Sequence, residues 1–163
     1  MQLQTTRFGE LQIEEDRILH FNKGLLGFED KHGFVLIPAQ EGETSFYYLQ
    51  SVEEESLSFI LLDTLTFFKD YDFTLKDQVL KELNIQKPED IQVFTLVTVT
   101  DSLKHATTNL KAPVIIHTHN RQGKQIVLEE DYLIKQPLFQ NASTSSPGQT
   151  TQTTSPRDAT TGG

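Results

Sequence analysis

A chain of 163 residues, 36% apolar and with eleven phenylalanines, has the material for one folded domain and an appendage. Its formal charge of −9 offers no basic patch for phosphate, so direct nucleic-acid binding is disfavoured; a basic partner, or solubility alone, accounts for the acidity. The lack of cysteine excludes disulfides, thiol catalysis and thiolate metal sites.

Met1-Gln2-Leu3-Gln4-Thr5-Thr6 has neither a basic nor an apolar leader segment, and no run approaches a membrane span. No membrane association is expected, and the expected location is the cytoplasm. The first predicted strands, Leu11-Gln12-Ile13 and Ile18-Leu19-His20-Phe21, flank the acidic turn Glu14-Glu15-Asp16. After them comes Lys23-Gly24-Leu25-Leu26-Gly27-Phe28-Glu29-Asp30. Closely spaced glycines can cradle phosphate, but such loops carry a Lys-Ser/Thr pair or open a helix, and these enclose leucines. The expected loop buries part of its apolar content and, because neighbours in an extended segment point to opposite sides, leaves the rest for a partner.

Phe34-Val35-Leu36-Ile37 reads as a strand stopped by Pro38, and Phe46-Tyr47-Tyr48-Leu49 follows the expected turn Glu41-Gly42-Glu43. Leu57 to Leu62, Val93 to Val99, Val114-Ile115-Ile116 and Gln125 to Leu128 complete about eight predicted strands, with Asn120-Arg121-Gln122-Gly123 as the turn before the last. One segment has a helical period: Leu75, Val79 and Leu83 share a face, Thr74 and Asp77 suit an N-cap, and Pro88 bounds the helix. From Gln140 onward Ser, Thr, Gln, Pro and Gly dominate. Such a segment buries too little to offset the entropy of ordering it. The expected fold is mainly β: a small antiparallel barrel-like or sandwich domain over 1–139, with one or two short helices and a disordered tail over 140–163.

The chemistry-bearing residues form no coherent set. His117-Thr118-His119 places two imidazoles on one strand face, with Glu129 and Glu130 the nearest acids in sequence, but a zinc site needs three or four ligands. Asp70-Tyr71-Asp72 is too short for a calcium loop. None of the serines sits in a nucleophile elbow, and Glu53-Glu54-Glu55 and Glu129-Glu130-Asp131 read as solvated turns. A metal-dependent hydrolase using His117, His119 and a turn carboxylate is the weakest reading, and no catalysis, metal or cofactor is expected.

The order of motifs is more telling. Thr6-Arg7-Phe8-Gly9-Glu10, Phe21 to Phe28, Leu49-Gln50-Ser51-Val52, Asp63 after a hydrophobic run, Asn109 to Ile116 and Gly123-Lys124-Gln125 together resemble the FliW family of bacterial flagellar assembly factors, across 1–139. The family pattern often has proline where Asn22 and Leu26 stand, and asparagine where His117 stands. The resemblance implies a barrel-like β protein without catalysis that binds flagellin in the cytoplasm. It also implies that, once freed by flagellin export, the protein binds and antagonises CsrA, the translational regulator that represses flagellin synthesis. An export chaperone without a regulatory arm is the alternative. Leu25, Leu26 and Phe28, with Gln50, Glu53, Glu54, Glu55, Asp70 and Asp72, are the candidate partner-binding residues. Asn109 is expected to satisfy backbone groups around Pro113.

Overall fold

A computed structural model describes residues 1–40 and 45–139. The expected turn at Glu41-Gly42-Glu43 and the expected tail over 140–163 lie outside the described residues. The chain divides into two units: one is Met1–Thr98 with Thr108–Gln136, and the other is described at Val99–Thr107 and at 137–139.

Eleven strands are present among the described residues: β1 Gln2–Thr5, β2 Gly9–Gln12, β3 Leu19–His20, β4 Gly33–Pro38, β5 Phe46–Ser51, β6 Ser58–Asp63, β7 Ile91–Thr98, β8 Thr107–Thr108, β9 Val114–His117, β10 Gly123–Gln125 and β11 Gln136–Pro137. β1 and β2 form a separate antiparallel hairpin. In the first unit, seven strands run in the order β10-β9-β7-β6-β5-β4-β3, each antiparallel to its neighbour. The two ends of that order meet: His20 forms a parallel bridge with Gln122, and the His20 amide donates to the Arg121 carbonyl at 2.8 Å. The sheet closes on itself.

Closure follows from strict alternation. Leu19 and Phe21, Phe34 and Leu36, Tyr47 and Leu49, Phe59 and Leu61, Phe94 and Leu96, Val114 and Ile116 are spaced two apart and pack into one interior cluster. Phe21 and Phe34 meet edge to face at 5.5 Å, as do Tyr47 and Phe94. Gly123 lets Phe21 in, since a Cβ there would lie 2.5 Å from the ring.

The outer face of β7, β9 and β10 is covered by α2, Asp77–Glu82. Val79 and Leu83 pack on Ile115, with Leu75, Ile91, Val93 and Ile126 around them. The expected apolar face is therefore present, but the helix is shorter than its periodicity suggested. Thr74 caps nothing; its amide donates to Glu130 Oε2 at 3.0 Å, so the chain stays extended until Lys76. A second short helix, α1 Thr64–Phe67, follows β6.

Two other expectations change. Leu11–Ile13 belongs to a hairpin with the unanticipated β1, whose Leu3 is buried among polar neighbours. The expected turn between β9 and β10 is present, with Arg121 left-handed at φ +62°. The last predicted strand ends at Gln125, although the Ile126 and Leu128 amides still bond the carbonyls of Pro113 and Lys111. In the second unit, a 3-10 turn at Leu103–His105 leads to buried Ala106, whose carbonyl accepts from the Leu138 amide at 3.0 Å.

Candidate functional site

One end of the barrel is stopped by the loop after β3. Gly24 and Gly27 have φ of +64° and +85°, left-handed values that glycine adopts without steric cost. At Gly24 the space is also closed, because a Cβ would stand 2.4 Å from the Phe28 carbonyl. Leu25 and Phe28 exchange backbone hydrogen bonds across the tight turn at Leu26-Gly27. The turn drives Leu25 into the barrel, 1% exposed, and leaves Leu26 51% exposed. Phe28 lies half outside, its ring edge-to-face with Phe59 at 5.0 Å.

The loop is tied down from the far end of the chain. Gln125 is buried; its Oε1 accepts from the Leu26 amide at 2.9 Å and its Nε2 donates to the Ala112 carbonyl at 3.0 Å. Glu82 on α2 bridges Lys23 and Lys124, 3.1 Å from each, and these contacts, Lys124 foremost, lower its carboxyl pKa.

The turn after β5 adjoins this end. Glu53 Oε2 accepts from the amides of His32 and Gly33 at 3.0 and 2.9 Å. Glu54 pairs with Lys31 at 3.4 Å, and Asp30 lies 3.5 Å from the same ammonium; the bond to Glu54, then the charge of Asp30, raise the lysine's pKa. Of the three consecutive glutamates, only the Glu55 carboxylate makes no hydrogen bond or ion pair among the described residues. Gln50, expected as a partner contact, is fully buried. Its Nε2 donates to the carbonyls of Ser51 and Glu55 at 3.0 and 3.2 Å, so it holds the turn from beneath.

Leu26, Phe28, Glu53 and Glu54 are thus brought to one end. Asp70 and Asp72 are not; they flank Tyr71, buried on the outer face with its hydroxyl donating to the Leu110 carbonyl at 2.7 Å and its pKa driven well up, by burial first of all. The Asp72 backbone exchanges hydrogen bonds with the Tyr132 hydroxyl, so these two acids border the Glu130 side of the molecule.

His117 and His105 are each held by local hydrogen bonds. His117 is buried, and its Nδ1 accepts from the amides of His119 and Asn120 at 3.2 and 3.3 Å. Asp90, not the nearest acids in sequence, approaches its Nε2, at 3.9 Å. Among the described residues, no cluster of three or more His, Asp or Glu is placed to hold a metal ion. In the second unit Ser102 and Asp101 both address Nδ1 of His105, at 3.4 and 2.9 Å, whereas a nucleophilic triad needs them on opposite ring nitrogens.

Arg7, Phe8, Asp63 and Asn109 have structural roles. Phe8 and Arg7 both pack on Tyr48, the ring centroids at 5.2 Å and the guanidinium 4.7 Å above the ring, which seats the β1–β2 hairpin. Asn109 Oδ1 accepts from the amides of Lys111 and Ala112, at 3.0 and 3.1 Å, shaping the approach to Pro113 as expected. Asp63, half-buried where β6 ends, accepts from Gln92 Nε2 at 3.4 Å; burial raises its pKa and this hydrogen bond moderates the rise.

The model of the FliW protein family matches residues 2–138. The chain belongs to the FliW family. The flagellar assembly factor FliW of Natranaerobius thermophilus is 43% identical to it over 150 residues, covering 91% of this chain and 99% of that protein. The FliW of Ruminiclostridium cellulolyticum is 40% identical over 131 residues, 80% of this chain and 88% of the relative. A crystal structure of the flagellar assembly factor FliW superposes with a TM-score of 0.81 at 34% identity, over 87% of this chain and 99% of the other. The barrel, its glycine loop and its hairpin therefore belong to a FliW-type fold.

Proposed function

We propose that this protein is a flagellar assembly factor that binds flagellin in the cytoplasm and, when free of it, binds CsrA and relieves its repression of flagellin synthesis. Relatives covering most of the chain are named as flagellar assembly factors, which supports the flagellar part of the reading. The observation that carries the partner-binding part is Leu26: an exposed apolar side chain on a loop fixed by two glycines, a buried neighbour and Gln125. An apolar group held still loses little conformational entropy when a partner covers it, which suits it to act as an anchor.

Phe28 extends the contact, and the Glu54 and Glu55 carboxylates form an acidic rim that steers a basic partner. Asp70 and Asp72 supply a second acidic face. Leu25 and Gln50 serve from within, and Glu53 from the surface through its bonds to the His32 and Gly33 amides, by positioning the turn and the loop. An acidic protein docked beside a basic RNA-binding surface weakens that surface's attraction for phosphate, a means of antagonism without overlap of sites. The reading calls for no catalysis and no cofactor.

Titration calorimetry against purified flagellin and purified CsrA tests it. Leu26→Ala and Phe28→Ala should fold normally and lose about tenfold or more in affinity, as interface anchors do. Normal binding by both variants sinks the anchor role. Binding of flagellin with none of CsrA leaves the export chaperone without a regulatory arm. Residues 140–163 are proposed to be a separate low-complexity segment, so truncation after Phe139 should leave melting temperature and both affinities unchanged.

A further inference from the structure

The seam of the barrel leaves a strand edge open. β3 and β10 stand at the two ends of the strand order, and among the described residues they are joined by the His20–Gln122 bridge and the bond from the His20 amide to Arg121. Past that bridge no described strand lies beside the outer edge of β10. The chain nevertheless runs on as an edge, since the Ile126 and Leu128 amides bond the carbonyls of Pro113 and Lys111 at 3.0 and 2.8 Å. Amides alternate in direction along an extended chain, so that of Val127, between them, points away from the sheet. Neither the amide nor the carbonyl of Val127 makes a hydrogen bond among the described residues, and the residue is 59% exposed.

An open edge is a template for another strand, and proteins blunt such edges with proline or charge. Gln125-Ile126-Val127-Leu128 contains neither. The charges around it are already used: Lys124 pairs with Glu82 at 3.1 Å, and Lys76 with Glu129 at 2.8 Å. Those four residues line a groove beside the edge, together with Val79 of α2 and Ile126. On the other face, Gln125 and Val127 point the same way, being two apart, and Gln125 there holds the Leu26 amide. The open edge is therefore continuous with exposed Leu26.

We propose that flagellin is held here by strand addition: an extended, locally uncharged segment of it lies along residues 125–128 and exchanges hydrogen bonds with the amide and carbonyl of Val127. Its side chains alternate, some over the groove beside α2 and the others next to Val127 and Leu26. Backbone pairing supplies the affinity and the apolar contacts on either face select the segment. Because the neighbouring lysines and glutamates neutralise one another, this edge offers no electrostatic draw to the basic regulator, which is steered instead by Glu54 and Glu55. The inference rests on the reading of the glycine-loop end as a partner-binding end.

The test uses the full-length protein with purified monomeric flagellin and, separately, purified CsrA. The Val127 amide, unbonded in the free protein, should exchange with solvent fast, slow at least tenfold in the flagellin complex, and stay fast in the CsrA complex. Val127→Pro removes a donor that the fold does not use, and it favours the extended conformation at Ile126, so the variant should melt close to the parent. It should lose about tenfold or more in flagellin affinity and keep its affinity for CsrA. Val127→Ala retains both backbone groups and should lose less. A flagellin complex with a fast Val127 amide, protection by CsrA alone, full flagellin affinity in a folded Val127→Pro protein, or equal losses in the two variants would each overturn strand addition and leave the Leu26 anchor standing. No flagellin complex at all would remove the inference together with the flagellin reading beneath it.

Discussion

The two ends of one barrel differ although the strands between them alternate alike. At one end two left-handed glycines let the chain fold Leu25 back into the interior, and a glutamine 99 residues beyond Leu26 fixes the loop in place. At the other the loop leading into β3 carries Glu14, Glu15, Asp16 and Arg17, none of which can enter an apolar interior without losing hydration. Strand patterning builds the wall of such a barrel. Whether a loop plugs its end depends on whether it has a spare apolar side chain and the backbone freedom to turn it inward.

The largest expected effect separates the neighbours Leu25 and Leu26. Leu25→Ala should cost roughly 2–5 kcal/mol in urea unfolding, as for a buried leucine whose cavity does not collapse. Leu26→Ala should stay within about 0.5 kcal/mol, as for an exposed site. Equal losses would dissolve the distinction between plug and exposed residue. Next comes the tie: Gln125→Leu leaves the Leu26 amide and the Ala112 carbonyl without partners and should cost about 1–3 kcal/mol. Hydrogen exchange at the Leu26 amide should speed up more than at Phe94; uniform acceleration would mean that the whole barrel had loosened.

The smallest effect belongs to the end opposite the glycine loop and depends on pH. Asp90 is buried beneath the turn that carries Arg121; its carbonyl accepts from Thr118, and its carboxylate from the amides of Gln86 and Lys87. The Gln86 bond above all, with help from Lys87 and His117 and against the cost of burial, holds its pKa below the ordinary 3.8. Protonation is therefore harder in the fold than in the unfolded chain. The resulting stability is present above pH 3.8 and drains away as pH falls through the lower folded value. The advantage of the parent over Asp90→Asn, measured by urea unfolding, should be flat near neutrality and shrink in acid. A gap that widens in acid contradicts this account.

Much of the wall was legible in the sequence. Phe34 and Leu36, Phe59 and Leu61, Phe94 and Leu96 stand among β-branched and aromatic neighbours, so period and propensity agree. β1 escaped because Gln2 and Gln4 carry little strand propensity and Leu3 is its one large apolar residue; the strand exists through its pairing with β2. The helix start was misplaced because Thr74 met a glutamate from a distant segment, which no local rule anticipates. Gln50 reads as a surface residue, and only the fold reveals it buried beneath the Glu53–Glu55 turn. The opposite orientations of Leu25 and Leu26 were expected from extended-chain geometry, but the tight turn at Leu26-Gly27 produces them, and the role of Gln125 depended on a contact across 99 residues.

That separation has a kinetic consequence. A nascent chain reaches Leu25, Leu26 and Phe28 early, yet the groups that seat them, His20 against Gln122 and Leu26 against Gln125, complete only when the last strands emerge. Contacts so distant in sequence close late and slowly. Until then the loop is a short greasy segment on an unfinished sheet, open to aggregation or to capture by whatever binds it first.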